Sequence, residues 1–250
     1  MRSRPQQSRT SHKPDQLLNP VRLMKNVIIP CGSQERTILT GPFKGIRMHL
    51  DLRTQTQFYL GLFERELYPW VTRFATGVRN VVDIGAAQGE YTLFALLKTN
   101  AERVIAFEPS PQAVEHLQRN LDTNGLAHSD KLVLHTRFVG SADSPECFSI
   151  DALTDSILTP CLLKMDIDGG EAEVLRAASK RLLNVTGLRW VIETHSVSLE
   201  KACGSILSSH GYWTRVIPNA WWRTFIPEQR GPDQNRWLVA TNDVSSPQCE

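Results

Sequence analysis

The 250-residue sequence has no pair of cysteines at metal-binding spacing. Its five cysteines, Cys31, Cys147, Cys161, Cys203 and Cys249, are odd in number and scattered, with no C-x-x-C pair among them. That argues against a disulfide framework and against a structural zinc site. The thiols read as reduced, which suits a reducing compartment and a cytoplasmic location. No apolar run reaches the roughly 18–20 residues that a membrane span requires. Charge of one sign is also lacking. Lys+Arg 28 against Asp+Glu 26 leaves +2, so the composition does not argue for a nucleic-acid partner, which usually requires a basic stripe. The basic, polar opening from Met1 to Lys25 lacks the apolar segment of a secretory signal, and no sustained amphipathic pattern makes it a transit peptide. What remains is 41% hydrophobic and 22% charged, the balance of a globular protein of one domain with modest extensions.

Residues 1–30 carry few apolar anchors and read as a disordered tail. From Arg36 to Leu52 the pattern is a hairpin, with Thr37-Ile38-Leu39 and Ile46 to Leu50 flanking a Gly41-Pro42-Phe43-Lys44-Gly45 turn. A helical stretch carrying Phe58, Leu62, Phe63, Leu67 and Trp70 follows, in which Pro69 either kinks the helix or starts a new turn. These elements form an N-terminal cap over residues 31–77. Beyond it, short apolar strands alternate with helices. Strands are expected at 81–85, 103–107, 132–139, 161–167 and 188–194, and helices at 91–98, 112–120, 171–183 and 198–209. Ser110 followed by Pro111 is a helix start signal. Two further strands, 213–217 and 236–240, are joined by a long polar, aromatic loop. This alternation argues an α/β fold with a parallel sheet covered on both faces, spanning residues 78–241 before a short tail at 242–250.

The chemistry lies at the strand ends. The first core strand runs into Asp83-Ile84-Gly85-Ala86-Ala87-Gln88-Gly89-Glu90, where two glycines allow the backbone to approach a ligand closely. Ala87 stands where a dinucleotide fingerprint has its second glycine, which counts against NAD. Glu108 ends the second strand, placed to accept hydrogen bonds from the ribose hydroxyls of an adenosine ligand. The fourth strand reads Lys164-Met165-Asp166-Ile167-Asp168-Gly169-Gly170-Glu171, and strand alternation sets Lys164, Asp166 and Asp168 on one side. Charges at a sheet's centre are costly unless paired or used, so this run is either a structural pair or a site. The fifth strand ends in Ile192-Glu193-Thr194-His195, with Glu193 and His195 on a shared face. A histidine there is either structural or a general base near neutral pH.

Together these segments resemble the FkbM-type S-adenosylmethionine-dependent methyltransferases, a branch of the class I Rossmann-like methyltransferases. The residues that carry the resemblance are Val81 to Thr92, Phe107-Glu108-Pro109, Lys164 to Glu171 and Ile192 to His195, with Phe58 to Glu64 similar to the family's segment before the core. Asp168 stands where the family usually has Glu, and Gly170 where Ala is common. The resemblance implies a mainly parallel seven-stranded sheet and S-adenosyl-L-methionine as cofactor. Asp83, Gly85 and Gly89 would surround its methionine end, Glu108 would hold its ribose, and Val139 to Ser141 would lie beside its adenine. Asp166, Asp168, Glu171, Glu193 and His195 would line the acceptor side. The family's acceptors are often hydroxyls on saccharides or natural products, so the expected reaction is O-methylation of a small-molecule or glycan acceptor.

Chemical reasoning adds roles. Methyl transfer to a hydroxyl requires alignment and removal of a proton, for which His195 is the candidate base, with Glu193 or Asp166 orienting it. A divalent metal on Asp166 and Glu193 is an alternative, but it is not favoured and no metal ligands are assigned. In the loop after Trp213, Trp221, Trp222, Arg223, Arg230 and Arg236 either stack on an acceptor ring, with Trp221 the first candidate, or pack the last hairpin onto the sheet. Two rival readings stay open, a nicotinamide-dependent oxidoreductase and a non-catalytic nucleoside-binding module.

Overall fold

The computed structural model describes residues 32–224 and 236–243. The expected tail at 1–30, Cys31, Cys249 and Arg230 lie outside the described residues. The alternation of apolar and polar segments produces eleven strands and six α-helices among the described residues. In chain order they are β1 (Gln34–Thr37), β2 (Arg47–Leu50), α1 (Thr56–Leu60), α2 (Tyr68–Ala75), β3 (Asn80–Ile84), α3 (Glu90–Lys98), β4 (Arg103–Phe107), α4 (Pro111–Thr123) and β5 (Leu132–His135). They continue as β6 (Phe138–Gly140), β7 (Cys147–Ser149), β8 (Cys161–Met165), α5 (Glu171–Ala178), β9 (Leu188–Thr194), α6 (Val197–Ser209), β10 (Trp213–Ile217) and β11 (Arg236–Thr241).

Seven strands form one sheet in the order β10-β11-β9-β8-β3-β4-β5. The five from β9 to β5 are parallel, and β11 pairs antiparallel with both β10 and β9. The fold is therefore the expected α/β, Rossmann-like methyltransferase architecture. From β3 the chain builds outward through β4 to β5, then returns to place β8 on β3's other side. Such a switch point opens a crevice at the carboxyl ends of its strands.

Side-chain alternation sorts the core into two layers. Val81, Val104, Ala106, Leu162 and Val191 face one way, covered by α2, α3, α4 and the cap. Val82, Ile105, Phe107, Leu163, Trp190 and Ile192 face the other, covered by α5 and α6. The β1–β2 hairpin anchors the cap by inserting Phe43, whose ring meets those of Phe58, Tyr68, Tyr91 and Phe94 at 5.3–6.0 Å. Asn120 of α4, fully buried, accepts from His49 N and donates to Gln88 O, so one amide ties the hairpin to the glycine loop.

Of the two readings of Pro69, it starts a new turn, sitting in the first turn of α2, where its missing N–H has no role. Several other elements differ from the sequence expectation. The third core strand stops at His135, and Phe138–Gly140 pairs instead with β7. The fourth strand stops at Met165, since Asp168 and Gly169 take φ of 57° and 113° and turn the chain. The helix expected at 171–183 ends at Ala178, and Leu182–Asn184 is a separate 3-10 turn. Ser110 does cap α4, accepting from Ala113 N.

Candidate active site

The glycine loop is shaped by close approach. Gly85 has φ of 79°, and a Cβ there would lie 1.9 Å from Asp166 O. Gly89 has φ of 94°, and a Cβ would meet Leu117 Cγ at 3.0 Å. Both positions need glycine. The amides of Gly85 and Ala86 donate to Phe107 O, which sets the loop against the end of β4. There Glu108, 7% exposed, accepts from Ala87 N at 2.8 Å and Ser110 N at 2.9 Å. Each carboxylate oxygen thus has one amide partner. A carboxylate has about four acceptor sites, so a pair of ribose hydroxyls has lone pairs left to meet. Asp83 is fully buried beneath the loop. Its Oδ2 accepts from Thr92 Oγ1 at 2.7 Å, its Oδ1 has no hydrogen-bond partner, and burial raises its pKa. Val139 and Gly140 lie in β6, and Ser141 follows them at the surface. Phe107 stacks on His135 at 4.8 Å, and Phe148 leans on both rings.

Lys164 links this loop to the other half of the crevice. Its Nζ donates to Gly85 O at 3.2 Å, lies 3.9 Å from Asp166 Oδ2 and sits 5.1 Å from the centre of the Tyr91 ring. Burial alone would lower the ammonium's pKa. The carboxylates of Asp166, Asp83, Glu64 and Glu193 outweigh it and hold the pKa above its ordinary value. Glu64, from the cap, accepts from Tyr91 Oη at 2.6 Å, and its own pKa is raised chiefly by burial. Its φ of 48° is unusual for a residue other than glycine. Sequence reasoning placed Glu64 only in a segment similar to a family's pre-core region. The signal that marks it is an acid within an apolar cap, which must be paired to be buried.

Where the sequence places the acceptor, the turn after β8 and the end of β9 bring their acids around one imidazole. His195 Nε2 lies 3.2 Å from Asp166 Oδ1, 3.5 Å from Glu171 Oε1 and 3.7 Å from Asp168 Oδ1. Glu193 Oε1 stands on the other side, 3.8 Å from Nδ1. Asp166 and Asp168 converge although they lie beyond the strand, because the left-handed turn at Asp168 replaces strand alternation. Asp166 and Glu193, the pair weighed for a metal, flank opposite nitrogens of the ring instead of sharing a site. Glu171, fully buried, accepts from Ile167 N and Gly169 N through Oε1.

The aromatic loop divides by role. Trp221 is 80% exposed on a 3-10 turn. Arg223 is not an acceptor platform. It is buried, pairs with both oxygens of Glu66, donates to Gln57 Oε1 and Leu62 O, and lies over the Trp222 ring. Arg236 pairs with Glu200 of α6. These two arginines therefore hold the last hairpin in place.

No family model matches the chain. A ribosomal protein L11 methyltransferase of Aeromonas hydrophila subsp. hydrophila is 27% identical over 151 residues, which is 60% of this chain and 44% of that protein. The chain thus spans less than half the length of this curated relative. Among solved structures, the methyltransferase FkbM of Methylobacillus flagellatus aligns at TM-score 0.50 and 22% identity, over 65% of this chain and 43% of that one. An rRNA methylase of Streptococcus thermophilus aligns at TM-score 0.50 and 14% identity, over 73% of this chain and 98% of that one. These likenesses support the methyltransferase fold.

Proposed function

We propose that the chain is an S-adenosylmethionine-dependent methyltransferase that methylates a hydroxyl of a small-molecule acceptor, a saccharide or natural product. The observation that carries this reading is the division of one crevice. A buried carboxylate held by Ala87 N and Ser110 N beside a glycine loop occupies the ends of β3 and β4, and an acid–imidazole cluster occupies the ends of β8 and β9. The first half fits the cofactor. Glu108 would hold the ribose hydroxyls, and the loop beside it is set by Gly85 and Gly89, where close approach to Asp166 O and Leu117 leaves no room for a Cβ.

When bound, S-adenosylmethionine supplies a methyl carbon activated by its sulfonium, and in-line transfer to an acceptor oxygen leaves a neutral thioether and a proton to be placed. The cluster around His195 takes on that proton, with Asp166 and Glu193 at the two sides of the ring. Lys164 fixes the distance between the halves by holding Gly85 O and the Asp166 carboxylate at once. The names of the relatives specify ribosomal protein and rRNA as acceptors for those proteins. The near-neutral charge of +2 favours a small acceptor here.

The test is calorimetric titration with S-adenosylhomocysteine, with NADH in parallel. Binding of S-adenosylhomocysteine alone, weakened about tenfold or more in Glu108→Gln, is the expected result, since a charged hydrogen bond contributes about 1.5–3 kcal/mol. His195→Ala is expected to retain that binding and to lose turnover on any acceptor found in a saccharide and polyketide panel. Binding of NADH instead would replace the proposal with an oxidoreductase. Binding of neither would remove it.

A further inference from the structure

We propose that the cavity between the β1–β2 hairpin and α4 binds a small phosphate monoester with a hydroxylated stem, with Arg119, His116 and His49 taking the phosphate. The cavity measures about 280 Å³ and is also lined by Asp51, Gln55 and Gln88. None of the residues given to the cofactor or to the acceptor lines it. The inference therefore goes beyond the proposed methyl transfer and does not rest on it. The volume stands at the lower end of the range for ligand pockets, about 300–1,000 Å³, which limits the occupant to a small molecule.

Helix periodicity builds the walls. His116 and Arg119 stand three residues apart on α4, so they share a face. Asn120, the next residue of that helix, is the buried amide that meets His49 N at 2.8 Å and Gln88 O at 2.9 Å. It thereby gathers the hairpin, the helix and the glycine loop around one space. The remaining wall is held by a directed chain of hydrogen bonds. Asp51 N donates to Gln55 Oε1, Gln55 Nε2 to Gln88 Oε1, and Gln88 Nε2 to Glu90 Oε1, all at 2.9–3.0 Å.

The lining selects an anion. Neither the His49 ring nor the His116 ring has a hydrogen bond or ion pair among the described residues. Arg119 donates to Glu115 Oε1 at 3.1 Å, but both side chains are exposed and such a pair is weak, so the guanidinium is free to turn to a dianion. Three groups able to carry positive charge suit a phosphate better than a carboxylate. Asp51 accepts from Arg53 N through Oδ1 and keeps acceptor sites for a ligand hydroxyl. The distribution of charge along the chain agrees. Residues 1–53 carry ten Lys and Arg against three Asp and Glu, and residues 54–250 carry 18 against 23. The hairpin thus belongs to the basic part of an otherwise acidic chain, a field that favours an anion beside it.

The experiment is calorimetric titration of the full chain with glucose 6-phosphate, inorganic phosphate and glucose. One glucose 6-phosphate per chain is expected, with a Kd below about 1 mM, and inorganic phosphate about tenfold weaker or more. Glucose alone should not bind. Arg119→Gln should weaken glucose 6-phosphate about tenfold or more, and His116→Gln about threefold or more. Both side chains are exposed on α4, so circular dichroism should show an unchanged fold. The ring signals of His49 and His116, and not those of His135, should shift in nuclear magnetic resonance spectra. No binding of either phosphate by about 10 mM, or binding unchanged in Arg119→Gln, would overturn the site. Equal affinity for the two phosphates would reduce it to an adventitious ion only. A short RNA that displaces glucose 6-phosphate with steep salt dependence would replace the small ligand with a polynucleotide. S-adenosylhomocysteine is titrated onto the same protein. Competition with glucose 6-phosphate would place the phosphate in the cofactor crevice and overturn the separate site. Glucose 6-phosphate uptake without S-adenosylhomocysteine binding would support the site and remove the methyltransferase reading.

Discussion

Glu90 shows how one side chain makes stability depend on pH. It opens α3 directly after Gly89, accepts from Gln88 Nε2, and burial pushes its pKa up to about 7. A native carboxyl that holds its proton more tightly than the unfolded one stabilises the fold below the unfolded value, 4.5, and loses that contribution as the pH rises through about 7. Urea unfolding of the wild type should therefore show stability falling between pH 5 and 7.5. Glu90→Gln should flatten that decline and gain on the order of 1–3 kcal/mol relative to wild type at pH 7.5. An unchanged slope in the variant would assign the pH dependence to other buried acids. Glu64 and Asp83 titrate in the same direction for the same reason, burial, but each is tied to Lys164 and so is a poorer isolated probe. None of this was legible from residue type. Glu90 reads as an ordinary first-turn acid, and only its packing makes it a titrating group near neutrality.

At the scale of elements, the glycine loop and the turn after β8 are a single fitted joint. Gly85→Ala puts a Cβ against Asp166 O and asks an L-residue to hold φ of 79°. The loop and the acidic turn must separate to admit it. We expect a loss of about 2 kcal/mol or more in urea unfolding, with S-adenosylhomocysteine binding lost as well. A variant that binds as the wild type does would show that the two segments can part without consequence. This joint explains which parts of the site the sequence made visible. The glycines, Glu108, Asp166 and His195 all stand at strand ends, where alternation and turn chemistry locate them. Asp168 meets the same imidazole as Asp166, but not by strand alternation. It turns back through a left-handed residue, a conformation that Asp tolerates but that no periodic pattern announces. Likewise β6 and β7 are three-residue strands, too short for alternation to mark.

For the whole molecule, the cap and the sheet's far edge are held together by charge. Arg223 follows β10 and Glu66 belongs to the cap. Their 2.6 Å contact is buried and extended by the Ala220 amide. Burial would raise the pKa of Glu66, but the Arg223 guanidinium together with backbone amides, the Ala220 amide among them, more than reverses it, so the carboxyl ends below its ordinary value. Removing one partner leaves a buried charge uncompensated. Arg223→Ala should cost about 3–5 kcal/mol in urea unfolding at pH 7, and Glu66→Met with Arg223→Met should recover much of it. A cost under about 1 kcal/mol would mean that water replaces the guanidinium. Long-range pairings of this kind were not legible in the sequence. An arginine beside two tryptophans suggests a ligand platform as readily as a clamp, and only its partner 157 residues away decides.

The order of strands in the sheet also bears on how the chain is made. The strand β11, at 236–241, lies between β10 and β9, although both precede it in the chain. During synthesis, β9 emerges from the ribosome with one hydrogen-bonding edge unpaired, and β10 emerges with no neighbour at all. Neither can be satisfied until β11, which ends 24 residues after β10 and 47 after β9, has left the exit tunnel. Until then the nascent chain exposes Val191 on one face and Trp190 and Ile192 on the other beside a bare strand edge, the kind of surface that chaperones bind and that aggregates grow from.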